Sequence, residues 1–381
     1  MGGRRVAVVF GTRPEAIKLA PVIEALARSP HFEPVTIVTG QHREMLDQVL
    51  DLFGITPAHD RDVHRHGQTL TGITTRVLEG LAEVLEGDQP DLIVVQGDTT
   101  TTFAAALAAY YRRIPVGHVE AGLRTGDRYA PYPEEINRRL TTVLTSLHWA
   151  PTLSAAENLL AQGIPAGDVL VTGNTVIDAL LAAIERKAPW GEAALEGLDA
   201  DPRRVLLVTA HRRESWGAPL GEVAAALAEL AAGDPDLLVV FPIHRNPIVR
   251  RAMRPLARLD NVLLVEPLAY GAFVRLMARA HLLLTDSGGL QEEGPSLGKP
   301  VLVMRQVTER PEAIAAGTAR LVGTDRETIV ATVRKLLDDP AAYDEMAHVA
   351  NPYGDGHAAR RIVADLEHRM AGGPAPLPFG R

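Results

Sequence analysis

Three acids stand where apolar runs give way to loops or helices: Asp98 in "VVQGDTTTTF", Glu120 in "PVGHVEAG" and Glu134 in "APYPEEINRR". Carboxylates gathered in a partly desolvated cleft can acquire raised pKa values, which suits taking a proton from carbon and returning it. Each acid also has a plainer reading. Asp98 could cap the Ala-rich helix that follows it. Glu134 could complement a helix dipole and pair with Arg138 four residues on. His118, inside its strand, reads as core.

A second group is built for anions. Arg13 and Lys18 flank the start of a helix in "FGTRPEAIKLAP", where Pro14 suits a first helical turn. The alternative there is a capped helix with solvated cations. "VTAHRRESWG" places His211, Arg212 and Arg213 after a strand, and "FPIHRNP" places His244 after the next. Arg310, in "TERPEA", could clamp phosphates together with Arg13. Ser287, Gly288 and Gly289 form an anion-friendly turn in "TDSGGLQEEG", yet Glu292 and Glu293 follow at once. Phe273 opens a helix and reads either as core or as a face for a base. No G-x-G-x-x-G, P-loop or metal-ligand spacing occurs.

The elements that must position these residues come in two series. "RRVAVVFG", "PVTIVTG", "DLIVVQGD", "PVGHVEAG", "LHWAP" and "DVLVTG" read as buried parallel strands separated by helical stretches, with helices predicted from about Pro14 to Arg28 and over Gln68–Glu86. The pattern restarts with "PRRVLLVTAHR", "DLLVVFPIH", "NVLLVEPL", "HLLLTDSGG", "PVLVMR" and "ARLVG". This predicts an α/β chain of two doubly wound, Rossmann-like domains, 1–173 and 174–356, with the ligand expected in an interdomain cleft beyond the carboxyl ends of the strands. A last helix is expected over 357–371. The Pro/Gly-rich tail 372–381 is expected to be disordered.

Bulk properties set limits. The 381 residues suit two domains, and an apolar fraction of 46% suffices for ordinary cores. A net charge of -8 argues against nucleic acid as a partner. The absence of cysteine excludes disulfides and thiolate chemistry and fits a cytoplasmic protein. No window approaches the roughly 20 apolar residues of a membrane span.

With these motifs in view, the chain resembles the non-hydrolysing UDP-N-acetylglucosamine 2-epimerases. "FGTRPEAIKLAP", "TGQHREMLDQVL", "QGDTTTT", "HVEAGLRT", "PEEINRR", "GNTVID", "TAHRRES", "PIHRNP", "TDSGGLQEEGPSLGKPVLVMR", "TERPEA" and "NPYGDGHAARRI" carry the resemblance, in the same order from about Arg4 to Ile362.

The resemblance implies a GT-B architecture, with the C-terminal helix returning to the first domain. It also implies reversible interconversion of UDP-N-acetylglucosamine and UDP-N-acetylmannosamine without metal or nicotinamide, and a homodimer serving polysaccharide synthesis. Asp98, Glu120 and Glu134 match the family's acid/base candidates, and His211 matches a histidine that assists the departing diphosphate. Arg13, Ser287, Gly288 and Arg310 match UDP-phosphate contacts, Glu293 a ribose ligand and Phe273 the uracil pocket. Lys18 and His244 match further positions at the site.

Gln41 and His42 resemble a regulatory region that binds a second substrate molecule. There the chain departs from the family. Gly67 replaces a usual basic residue and Glu44 a usual uncharged amide, so substrate activation is expected to be weak or absent. Hydrolysing epimerases and GT-B glycosyltransferases are the rival readings on the same fold.

Overall fold

The computed structural model describes residues 3–40, 43–61, 63, 67–213 and 216–380. Gln41 and His42 lie outside the described residues, as does the side chain of Glu44. The chain divides into two compact units, Met1–Ala182 with Tyr353–Arg381, and Ala183–Pro352.

The first unit runs β1 (Arg4–Phe10), α1 (Arg13–Arg28), β2 (Phe32–Val38), α2 (Arg43–Phe53), β3 (His59–Asp60), α3 (Leu70–Asp88), β4 (Leu92–Gln96), α4 (Thr100–Tyr111), β5 (Val116–Val119), α5 (Glu134–Leu144), β6 (Leu147–Ala150), α6 (Leu153–Ala161), β7 (Val169–Val171) and α7 (Thr175–Glu185). Its seven strands lie in the order β3-β2-β1-β4-β5-β6-β7, and the paired strands are parallel. Strand β3 is a two-residue, polar addition that the apolar-run criterion missed.

The second unit holds β8 (Arg204–Thr209), α8 (Ala218–Gly233), β9 (Leu237–Pro242), α9 (Pro247–Met253), β10 (Val262–Val265), α10 (Tyr270–Arg279), β11 (Leu282–Thr285), α11 (Gly288–Glu293), β12 (Val301–Val303), α12 (Pro311–Ala316), β13 (Ala319–Leu321), α13 (Arg326–Asp338) and α14 (Pro340–Ala347). Its sheet has the order β10-β9-β8-β11-β12-β13, again parallel. All six strands read from the second series are there. The chain then ends in α15 (Ala358–Ala371), which belongs to the first unit. The two Rossmann-like units are the fold class expected from the sequence.

Both sheets are buried on both faces, which explains the continuous apolar strands. Val6, Val8, Val9 and Phe10 of β1 are fully buried, as are Val205 to Val208 of β8. In the first unit β5 passes so close to Trp149 that a Cβ on Gly117 would fall 2.4 Å from the indole. The indole Nε1 donates to Asp365 of α15 at 2.9 Å, which anchors the returning helix under β6.

Two expectations are corrected. The contact boundary falls at Ala182/Ala183 instead of after Gly173, because the first turns of α7 are tied to the C-terminal segment. There, Asn174 N donates to Tyr353 O at 2.7 Å, and Asp178 accepts from Ala359 N at 2.9 Å. The charged stretch after α7 is packed, with Trp190, Leu195 and Leu198 buried and the Arg275 guanidinium 4.2 Å from the Trp190 ring centroid. The tail through residue 380 is placed rather than disordered. Phe379 N donates to Val171 O at 2.8 Å, giving edge strand β7 a partner, and Phe379 packs against the buried cluster that includes Ala150, Leu159 and Val171.

Candidate active site

In a doubly wound sheet, ligand-binding residues gather where strand order reverses. That point lies between β1 and β4 in the first unit and between β8 and β11 in the second. The segments after these four strands carry Arg13 and Lys18, Asp98, His211, and Ser287 to Glu293.

In the first unit the turn after β1 is set by a capping box. Thr12 caps α1, and Glu15 accepts from Thr12 N at 2.8 Å and Gly11 N at 3.1 Å. The other Glu15 oxygen accepts from the hydroxyls of Thr99 at 2.7 Å and Thr102 at 3.0 Å. One fully buried carboxylate therefore ties the turn bearing Arg13 to the turn bearing Asp98. Burial raises its pKa, and the four donors work against that. Glu15 was not singled out from the sequence, although the Thr-x-x-Glu spacing marks it.

Asp98 is not the helix cap. Thr99 takes that role, accepting from Thr102 N at 3.1 Å. The Asp98 carboxylate is left for Arg138, whose NH2 stands 2.5 Å from Oδ2. The expected Glu134–Arg138 pair does not form. Arg138 reaches Glu135 instead, at 3.2 Å, and Glu135 also holds Arg139 at 2.8 Å and the amide of Thr125 at 3.1 Å. Glu135 points inward from α5 with a fully buried side chain. Glu134, one residue earlier, is half-buried, and its Oε2 is enclosed with no hydrogen-bond partner.

Glu120 sits just past β5 with φ +64, a left-handed conformation that costs a non-glycine residue on the order of 1 kcal/mol or more. Its carboxylate forms an ion pair with Lys18, and both side chains are largely buried. His118 is core, as read from the sequence. Its Nε2 lies 2.7 Å from Gly97 O, bracing the turn before Asp98, and burial lowers its pKa to about 4.

In the second unit His211 follows β8. Asp286, almost fully buried at the end of β11, accepts from His211 N at 2.7 Å and Arg212 N at 2.8 Å. Its other oxygen stands 2.8 Å from His211 Nδ1. Burial pushes the Asp286 carboxyl up, but the His211 ring and the two amides more than offset this and hold it below the usual range. His244 stacks toward His211 with ring centroids 6.4 Å apart, and its Nδ1 accepts from Asn246 N at 3.2 Å.

Around Gly288 the cations converge. A Cβ there would lie 3.9 Å from the Arg212 guanidinium and 4.0 Å from that of Arg310. Arg310 is held by an ion pair to buried Glu292. A relay of hydrogen bonds supports this loop: Arg310 N to Thr308 Oγ1 at 3.1 Å, Thr308 Oγ1 to Gln291 Oε1 at 2.5 Å, and Gln291 Nε2 to Ser287 O at 3.0 Å. Glu293 is buried beside Gly289, and Phe273 is half-buried near the start of α10. The sequence reading left the role of Glu292 open and passed over Asp286. Both act through partners distant in sequence.

The first unit holds Asp98 and Glu120 just past β4 and β5, and Glu134 at the start of α5. The second unit holds two guanidiniums beside the Gly288 turn, with the imidazoles of His211 and His244 following β8 and β9, a setting for a doubly charged phosphate group. Among the described residues no group of three or more His, Asp or Glu is arranged to hold a metal ion, and no helix is long and apolar enough to cross a membrane.

Comparison with known proteins identifies the family. The family model for UDP-N-acetylglucosamine 2-epimerase matches residues 24–367. A UDP-N-acetylglucosamine 2-epimerase from Salmonella typhimurium is 53% identical over 369 residues, covering 95% of this chain and 98% of its own. A solved chain from Listeria monocytogenes is 45% identical with TM-score 0.94, covering 99% of this chain and 100% of that one. The UDP-GlcNAc 2-epimerase of Neisseria meningitidis, solved with UDP-GlcNAc bound, is 48% identical with TM-score 0.83, covering 96% of this chain and 100% of that one.

Proposed function

The chain belongs to the UDP-N-acetylglucosamine 2-epimerase family, and we propose that it interconverts UDP-N-acetylglucosamine and UDP-N-acetylmannosamine by anti elimination of UDP and its re-addition. Its fold is GT-B-like. The C2 proton of the sugar is not acidic, so direct removal is a poor route. In the elimination a carboxylate takes the C2 proton, and the C–H electron pair becomes the C1=C2 bond. The C1–O bond breaks with its pair staying on the β-phosphate oxygen. The products are 2-acetamidoglucal and UDP. Re-addition with the proton delivered to the opposite face gives the epimer.

The observation that carries this reading is the separation of labour between the units. Asp98, Glu120 and Glu134 supply acid/base groups and no phosphate-holding cluster. His211, Arg212, Arg310 and the Ser287–Gly289 turn supply an anion pocket, with Arg13 as a further phosphate contact, Glu293 for the ribose and Phe273 for the base. Asp98 and Glu120 each have a cationic partner to give up before taking a proton, whereas the enclosed Glu134 Oε2 has none. Several independent holds on the diphosphate favour retention of UDP over its release, hence the non-hydrolysing reaction. Exposed Tyr110 and Tyr111 on α4, with exposed Leu140 and Val143 on the neighbouring α5, support a homodimer that buries this face.

The test is incubation with UDP-N-acetylglucosamine in deuterated water. UDP-N-acetylmannosamine carrying deuterium at C2 is expected. Product without deuterium removes the elimination route. Free N-acetylmannosamine with equimolar UDP makes the enzyme a hydrolysing one, and retained binding without turnover makes it a nucleotide-sugar sensor.

A further inference from the structure

His211 is held by a side chain to which no role in the reaction has been given. We propose that Asp286 is a positioning residue that keeps a hydrogen on His211 Nδ1 and so makes the ring an imidazolium when the diphosphate is bound. The proposal rests on the reading of His211 as the group that faces the departing diphosphate.

Asp286 Oδ1 stands 2.8 Å from His211 Nδ1, at ion-pair distance though off the line of a straight hydrogen bond. Two lone pairs at that separation repel, so Nδ1 carries a hydrogen. The carboxylate cannot turn away, because Oδ2 is fixed by the amides of His211 and Arg212 at 2.7 and 2.8 Å and the side chain is 1% exposed. The remaining ring nitrogen, Nε2, is then the one available to a ligand. A phosphate oxygen there is a second acceptor. A ring with an acceptor on each nitrogen has hydrogens for both only as the cation. The Nε2–H offered to the leaving oxygen is thus a charge-assisted donor, the stronger kind, aimed where negative charge develops.

Asp286→Asn separates this role from simple packing. The two backbone amides still need an acceptor, so the single Asn oxygen must take the Oδ2 position. Its NH2 then faces Nδ1 and can only donate. Nδ1 must present a lone pair, and the ring becomes neutral with its hydrogen on Nε2.

The experiment is nitrogen NMR of the full chain labelled at histidine, with and without UDP, the His211 signals being identified by their absence in His211→Gln. In the parent with UDP, both ring nitrogens of His211 should be protonated. In Asp286→Asn, only Nε2 should be. Initial rates should show kcat lowered about tenfold or more, with KM for the UDP-sugar changed less than about threefold. A neutral His211 in the UDP-bound parent overturns the proposal even if the variant does not fold, and so does an Asp286→Asn enzyme with unchanged kcat. The spectra require only UDP binding. A chain that binds UDP but does not epimerise therefore sinks the functional reading while leaving the ring's protonation measured.

Discussion

Arg138 NH2 stands 2.5 Å from Asp98 Oδ2, a contact that joins helix α5 to the turn after β4. The same guanidinium reaches buried Glu135, which Arg139 also holds. Arg138→Met should lower unfolding stability by about 3–5 kcal/mol, because a largely buried pair loses one member. Turnover should fall at least ~100-fold as Asp98 loses its orientation. Denaturant melts and initial rates measure both. Stability within about 1 kcal/mol of the parent would show that the contact contributes little.

Asp98→Asn, Glu120→Gln and Glu134→Gln should each cost at least ~100-fold in rate, the usual cost of losing acid/base catalysis. The rate is read as conversion of UDP-N-acetylglucosamine. If all three variants turn over normally, the proton chemistry lies elsewhere.

Glu15 answers four donors from two loops. Glu15→Ala strands them in the interior and should cost about 3 kcal/mol or more. Glu15→Gln should cost less, since its one oxygen can keep the backbone amides while the threonine hydroxyls rotate to accept from its NH2. Equal melting curves for the two variants would contradict this account.

Glu292 holds Arg310 from behind. Glu292→Gln keeps the shape and removes the charge, so Arg310 should lose its fixed orientation and UDP affinity should drop by about tenfold. Titration calorimetry with UDP decides. Unchanged affinity would mean that Arg310 does not reach the diphosphate.

Asp178 accepts from the first amides of α15. Burial raises its pKa from the ordinary 3.8 to about 6, despite those amides. Between these values the folded chain keeps a proton that the unfolded chain has lost. The contribution of this group is therefore fully present below about pH 4 and declines as pH rises towards 6. Asp178→Asn lacks that decline. Its stability relative to the parent should rise with pH across this window, by at most roughly 1.4 kcal/mol per pH unit, and level off above it. Urea melts at pH 4, 5, 6 and 7 test the sign. A flat difference would place the Asp178 carboxyl near its ordinary value in the folded chain.

Strands such as β4 and β11 were legible because burial on both faces leaves an unbroken apolar run, and the polar residue that ends such a run marks the ligand side. Asp98, Glu120 and His211 could be found in that way. Their partners could not. Helical spacing offered Glu134 to Arg138, but the fold brings Asp98 from 40 positions away. Asp286 meets His211 only because β8 and β11 are neighbours in the sheet.

The bond from Trp149 to Asp365 spans 216 residues and encloses the whole of the second unit in sequence. During synthesis, at ~5–20 residues per second, the indole waits roughly 10–40 s for its acceptor to be made. The second unit is complete on the ribosome before the first can close. A nascent chain stopped short of α15 carries the Trp149 N–H without this partner until the middle of that helix is made.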